Sequence, residues 1–255
     1  MISSEKNKIY QNWYEDWFNS KFYLKLYSNR NSEDAKNLIN LILENVKLKK
    51  GSKVLDICCG AGRHSIEFAK RGFNVTGFDL SDFLISQAIK NKSAVKNKNL
   101  KIKFLKKNMR HFRFSSYDLA VNLFSSFGYF ESDIENFSVI SNTFASLKKG
   151  GYFIFDFFNE KYLRNHLTKN TISKIGKYTV TQKRTINHNR INKLIIIKDK
   201  ETKTEFTESV KLYTFTELKR VFENIGFTIL NIFGDYSGKK FNIKNSERLI
   251  FIAHR

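Results

Sequence analysis

The sequence predicts an α/β protein: a mostly parallel sheet with helices on both faces. Three observations carry the prediction. Five short apolar segments alternate with helical patterns between residues 33 and 158, the order that specifies parallel strands joined by crossover helices. A Gly60-Ala61-Gly62 turn ends the first apolar segment and opens the next helix, as in nucleotide-binding folds of this class. The chain has 255 residues, 41% hydrophobic and 15% aromatic, enough to bury the core of one such domain with an insertion.

The elements follow in order. Tyr10, Trp13, Tyr14, Trp17, Phe18, Phe22, Tyr23 and Tyr27 recur at spacings of three and four, which fits helices with one apolar face. Residues 1–48 read as an N-terminal helical lid, whose aromatic face either packs on the body or covers a ligand. Within it, residues 33–48 form a helix capped by Asn31 or Ser32, with Leu38, Ile39, Leu41, Ile42 and Val46 inward. Residues 53–59 are the first strand, and 62–71 a helix stopped by Gly72. Residues 74–79 are a second strand ending in Asp79. Ser81 caps the next helix, with Phe83, Leu84, Ala88 and Ile89 inward. Residues 101–105 and 118–124 are the third and fourth strands, the fourth apolar enough to be central. A helix over 132–148 ends at Gly150-Gly151, and 152–158 is the fifth strand.

The alternation breaks at about residue 159. Residues 177–186, 190–198 and 203–213 read as an antiparallel meander turning at His188-Asn189 and Asp199-Lys200. The segment 159–212 is therefore expected to be an inserted antiparallel β subdomain. A helix over 215–225 ends at Gly226, and 227–234 and 248–254 close a sheet of seven strands.

Composition narrows the function classes. There is no proline, where average usage predicts roughly a dozen. Proline-containing catalytic loops and PxxP ligands are thereby excluded. The formal charge of +21 invites a nucleic-acid or other anionic partner. However, 34 lysines stand against 11 arginines, scattered rather than clustered. Dedicated phosphate readers favour the planar arginine fork, so codon bias and a solvated surface are the preferred account. Cys58 and Cys59 are neighbours, too few for a zinc site and poorly placed for a structural disulfide; no metal is expected. The N-terminus lacks the apolar core of a signal peptide, and no stretch of about 18 apolar residues suggests a membrane span. A cytoplasmic location is expected.

The chemistry concentrates at Gly60-Ala61-Gly62 and at Asp79, an acid placed to take ribose hydroxyls. A dinucleotide fingerprint requires a third glycine three residues after Gly62, where Ser65 stands. Asp56 would also repel a pyrophosphate. An acid there suits a ligand with an amino group and a positive sulfonium. With Val54 through His64, Phe78-Asp79-Leu80-Ser81, Asn108-Met109-Arg110, Asp118 through Phe130 and Lys148-Lys149-Gly150-Gly151, the chain resembles the class I S-adenosylmethionine-dependent methyltransferases, which have a Rossmann-like fold. Tyr23, Tyr27 and Arg30 resemble the N-terminal pattern of sugar-amine and glycine N-methyltransferase-like enzymes.

The resemblance implies S-adenosyl-L-methionine as cofactor and a small-molecule methyl acceptor, N-methylation being preferred. It implies that Tyr23, Tyr27 and Arg30 secure the donor's end groups, Arg30 through its carboxylate. Gly60 and Gly62 would admit the methionine part, and Asp56 would orient the amino end or the loop. Asp79 and Leu80 would hold the ribose side. Asn108, in place of the family's usual Asp, would meet adenine together with Met109. Asn122 and Leu123 would lie near the sulfonium. Tyr129 is the substrate-side candidate that would position the acceptor, and the inserted subdomain would cover the acceptor pocket. An RNA methyltransferase and a regulatory S-adenosylmethionine-binding protein remain the alternatives.

Overall fold

The apolar segment beginning at Val54 is buried on both faces, so it must lie in the middle of the sheet. In the computed structural model, which describes residues 12–28, 32–97 and 99–255, it does. Strand β1 (Lys53–Ile57) pairs in parallel with β2 (Asn74–Asp79) on one side and β4 (Tyr117–Asn122) on the other. Strands β3 (Ile102–Lys106) and β5 (Leu147–Phe158) extend the parallel pairing outward. Strand β11 (Arg248–His254) runs antiparallel to β5 and to β10 (Thr228–Phe233). The seven-stranded order is β10-β11-β5-β4-β1-β2-β3. The order of strand addition reverses between β1 and β4, so the crevice for a ligand opens beyond the carboxyl ends of these two strands.

The period-two alternation of the strands sorts their side chains into two cores. Val54, Leu119, Val121, Ile154 and Ile252 pack with α3 (Ser32–Asn45) and α4 (Arg63–Lys70) on one face. Leu55, Ile57, Ala120, Phe153, Phe155 and Phe251 pack with α6 (Asp133–Ser146) and α8 (Phe215–Ile225) on the other. Thr214 and Glu217 form a reciprocal capping box at the start of α8, satisfying donors that the first helical turn leaves unpaired. Helix α5 (Asp82–Ser93) is capped by the Ser81 hydroxyl.

Two shorter helices, α1 (Trp13–Phe18) and α2 (Lys21–Leu26), precede this body. After β5 come a short helix α7 (Glu160–Asn165) and a separate antiparallel sheet. Its strands are β6 (Asn170–Ile175), β7 (Tyr178–Asn187), β8 (Arg190–Lys198) and β9 (Lys203–Lys211), in that order.

Three details differ from the sequence expectation. The meander has four strands; β6 is a mostly exposed edge strand and carries little apolar alternation to announce it. Helix α6 ends at Ser146 and β5 begins at Leu147, before the glycine pair. Leu147 is extended and buried and pairs with Tyr117. In α5 Leu84 and Ala88 are buried as expected and Ile85 joins them, whereas Ile89 is 50% exposed. Among the described residues, no helix is long and apolar enough to cross a membrane.

Candidate active site

The loop after β1 is shaped by its backbone. Cys58, Gly60 and Gly62 all have positive φ, at 59°, 54° and 79°. A Cβ on Gly60 would meet nothing within 4 Å, so this glycine faces open space. Gly62 is different: a Cβ there would come 2.7 Å from the Phe104 ring. Its glycine serves the packing of α4 as well as the left-handed cap. Asp56, one turn of the loop earlier, is buried and accepts a 2.6 Å hydrogen bond from the Ser65 hydroxyl. Burial pushes its carboxyl up to about 7, against the pull of Ser65. Asp56 thus ties β1 to α4, and it lines neither of the cavities described below.

Asp79, at the end of β2, accepts from the Gly60 N–H at 2.9 Å and the Ser81 N–H at 3.0 Å. The acid therefore fixes the glycine loop to the turn that starts α5. Burial raises its pKa, while the backbone donors oppose that rise. Gly60, Asp79, Leu80, Asn108 and Met109 line one narrow cleft with Tyr14, Phe18, Tyr23, Tyr129 and Phe130. Its volume is about 60 Å³. The Asn108 Oδ1 accepts from the Arg110 backbone N–H at 2.9 Å and from its Nε at 3.3 Å, so the amide keeps its NH₂ for a ligand. Cys58 and Cys59 are free thiols, and burial pushes both well above the usual range.

The loop after β4 carries a feature that the sequence did not single out. Phe124 and Ser125 are consecutive non-glycine residues with φ of 57° and 62°, a conformation that persists only when its surroundings enforce it. Asp156, fully buried at the end of β5, supplies the enforcement. Its Oδ2 accepts from the Phe124 N–H at 2.8 Å and the Tyr236 hydroxyl at 3.0 Å. Its Oδ1 accepts from Arg248 Nε at 2.8 Å and from an Arg248 terminal nitrogen at 2.6 Å. Arg248 also donates to the Ser125 hydroxyl at 2.9 Å. The Phe124 ring in turn packs on Tyr236 and His64 and lies under Arg63. Asn122, completely buried, donates to Ile57 O and Ser126 O; it joins the ends of β1 and β4 and lines neither cavity. Leu123 does line the larger one.

That larger cavity, about 890 Å³, runs from the glycine loop to the four-stranded sheet. Cys58, Gly60, His64, Leu123, Ser126 and Tyr129 form its inner wall, and Ile191, Lys193, Glu208 and Val210 its outer wall. Helices α1 and α2 lie between. The Trp17 Nε1–H and the Tyr27 hydroxyl both donate to Glu208 Oε1, at 2.7 and 2.5 Å. Lys193 bonds the other Glu208 oxygen and also donates to the Tyr27 hydroxyl. Burial alone would raise the Glu208 pKa; Lys193 and the two hydrogen-bonding rings reverse this and lower it. At the other end, the Ser81 hydroxyl lies within hydrogen-bond distance of Phe18 O and Asn19 Oδ1. Tyr27 therefore reaches the insertion, while Tyr23 lines both cavities. Tyr129 sits among Trp13, Tyr14 and Phe18, and burial pushes its phenol well up. Arg30 lies outside the described residues.

A crevice at the topological switch point and an acid closing a glycine loop, with a cavity beside them, define an α/β protein of the nucleotide-binding class. The family assignment follows from the sequence: residues 27–232 match the model of the methyltransferase domain, and the chain belongs to that family. A putative methyltransferase of Geobacillus is 25% identical over 221 residues, covering 81% of this chain and 86% of that protein. An S-adenosylmethionine-dependent methyltransferase from Clostridium acetobutylicum superposes with a TM-score of 0.76 at 18% identity, over 91% of this chain and 96% of that one. The sugar N-methyltransferase KedS8 from Streptoalloteichus superposes at 0.67 with 15% identity, over 90% of each chain. The fold is that of S-adenosylmethionine-dependent methyltransferases.

Proposed function

We propose that this chain transfers a methyl group from S-adenosyl-L-methionine to a small molecule, with an amine nitrogen as the preferred acceptor atom. The observation that carries this reading is the roofed cavity of about 890 Å³ reaching the glycine loop. A small molecule fits within walls supplied by the N-terminal helices and the insertion.

The residues present suit the donor. Gly60 leaves open space beside a left-handed loop. Asp79 stands at the ribose position, with Leu80 and Met109 offering apolar surface and Asn108 an amide to adenine. The cleft's small volume requires Phe18 and Tyr23 to yield when a nucleoside enters. When bound, the donor supplies an activated methyl on a sulfonium. The protein's part is alignment and exclusion of water.

The preference for nitrogen rests on the inner wall. His64 is buried and pushed down to about 3, by desolvation first and Arg63 second. The Cys58 thiol and the Tyr129 phenol are pushed up by burial. None of these three lining groups is therefore poised to deprotonate a hydroxyl acceptor. A neutral amine needs no such base. The likeness to a sugar N-methyltransferase points the same way.

The test uses methyl-labelled donor and a cell extract divided into low-molecular-weight and RNA fractions. Label in the low-molecular-weight fraction, on a nitrogen by mass spectrometry, is expected. Label in the RNA fraction, the reading that the +21 charge favours, would overturn the small-molecule assignment. Donor binding without release of S-adenosylhomocysteine in any fraction would indicate a regulatory protein.

A further inference from the structure

The outer wall of the large cavity carries a charge imbalance that the fold does not account for. Register places Arg184 of β7 opposite Lys193 of β8, and Lys193 opposite Glu208 of β9. All three line the cavity, so they form one row across the sheet on its cavity side. Like charges directly opposite each other destabilise a sheet. The row holds two cations and one carboxylate; Glu208 pairs with Lys193 and is already shared with Trp17 and Tyr27.

Arg184 is the end of the row. Its guanidinium donates to Thr168 O at 3.3 Å, Thr171 Oγ1 at 3.2 Å and Gln182 Oε1 at 2.8 Å. These acceptors are all neutral: they orient the fork and leave its charge uncompensated. Among the described residues, Arg184 has no carboxylate partner. A guanidinium held in place by neutral acceptors, at the edge of a half-open cavity, is arranged to take a two-oxygen anion bidentately.

We infer that Arg184, backed by Lys193, is the anion-recognition point of the acceptor pocket. The acceptor then carries a carboxylate or a phosphate as well as the atom that is methylated. This rests on the methyltransferase reading for the word acceptor, though not for the anion site itself. Such a site fixes the distance between the anionic group and the reacting atom, which is how remote binding energy positions a substrate.

The experiment measures binding of inorganic phosphate and of acetate to the full chain, by calorimetry at constant ionic strength. Wild type is compared with Arg184→Gln, Arg184→Lys and Lys103→Gln, a lysine exposed on β3. Donor affinity is measured on the same samples. The expected result is that one probe binds wild type, phosphate for a phosphorylated acceptor or acetate for a carboxylic one. Arg184→Gln should weaken it at least tenfold, Arg184→Lys by less, and Lys103→Gln not at all, with donor affinity unchanged throughout. Equal binding to wild type and Arg184→Gln, or binding of neither probe, overturns the inference. Wild type that binds the anion but not S-adenosylmethionine retains the anion site and removes the methyltransferase reading; donor binding without anion binding does the reverse.

Discussion

The inner and outer walls of the large cavity are assembled by different means. The inner wall is mostly backbone: positive-φ residues at the end of β1, and an acid 19 residues from the glycine N–H it accepts. The outer wall is made by side chains that meet across most of the chain. Trp17 and Tyr27 reach Glu208 over separations of 191 and 181 residues. The inner wall follows from a strand, a turn and a helix in sequence. The outer wall exists only once the insertion and the N-terminal helices have both docked. The difference implies that the inner wall holds its shape when the outer one is loosened, and each prediction below bears on that asymmetry.

The largest effect is expected at the support beneath the inner wall. Asp156 holds the left-handed Phe124-Ser125 turn and the Arg248 guanidinium at once. Asp156→Ala leaves Arg248 without its buried counter-ion, a loss of about 3–5 kcal/mol, readable as a lower urea midpoint. Arg248→Lys, which keeps a charge but not the fork, should cost less. If Asp156→Ala unfolds at the wild-type midpoint, the strained turn does not depend on it.

Asp56 tests, through pH, the β1–α4 joint behind the inner wall. Its folded pKa of about 7 lies above the ordinary 3.8, so folding favours the protonated acid. The stabilising contribution is complete below about pH 4 and is lost as pH rises through 7. Asp56→Asn keeps an acceptor for Ser65 and removes the titration. The stability of wild type relative to the variant should therefore fall by about 1 kcal/mol per pH unit between pH 4 and 7 and level off above. His64, pushed down to about 3, costs stability in the opposite direction as pH falls below its ordinary value. It is present in both proteins and cancels in the difference. A pH-independent difference would show that Asp56 is ionised throughout.

Asp79→Ala should act on the donor and spare the roof. On the proposed ribose role, removing this carboxylate, which also accepts from two N–H groups, should cost about 2–3 kcal/mol of donor binding, close to a hundredfold by calorimetry. Hydrogen exchange in α1 and β9 should stay as in wild type. Altered exchange there would mean that the walls are coupled more tightly than their construction suggests.

How much of this was legible in the sequence divides along the same line. The parallel sheet depends on period and on spacings within twenty residues, and the resemblance to the methyltransferases named the family and its fold; the bond from the Gly60 N–H to Asp79 was not read, because spacing places an acid near the loop without saying which donor it meets. The sheet of the insertion was visible as alternation, apart from β6, whose edge position leaves it exposed. Asp156 was read only as a strand residue, because nothing local marks its bonds to Phe124, Tyr236 and Arg248. The fit of Trp17 and Tyr27 to Glu208 was likewise invisible. An aromatic stripe shows that a helix face is buried, but not which acid lies against it.

The smallest effect belongs to the outer wall itself. Glu208→Gln preserves an oxygen that can accept from Trp17 and Tyr27, so the rings need not separate. The lost component is the ion pair with Lys193, the middle residue of the row, which would keep Arg184 on one side and lose the carboxylate on the other. Loss of a charge-assisted bond at a mostly buried site costs about 1–2 kcal/mol. It should appear locally, as roughly tenfold faster hydrogen exchange in α1 and α2, because these helices are tied to the insertion at Glu208 and to the α5 turn at Ser81. Donor affinity should hold or improve slightly, since a looser α2 makes room for a nucleoside in the narrow cleft lined by Phe18 and Tyr23. Slower exchange in these helices, or a donor affinity that falls with it, would mean that the Glu208 bonds shape the inner wall as well, and that the two walls are one device.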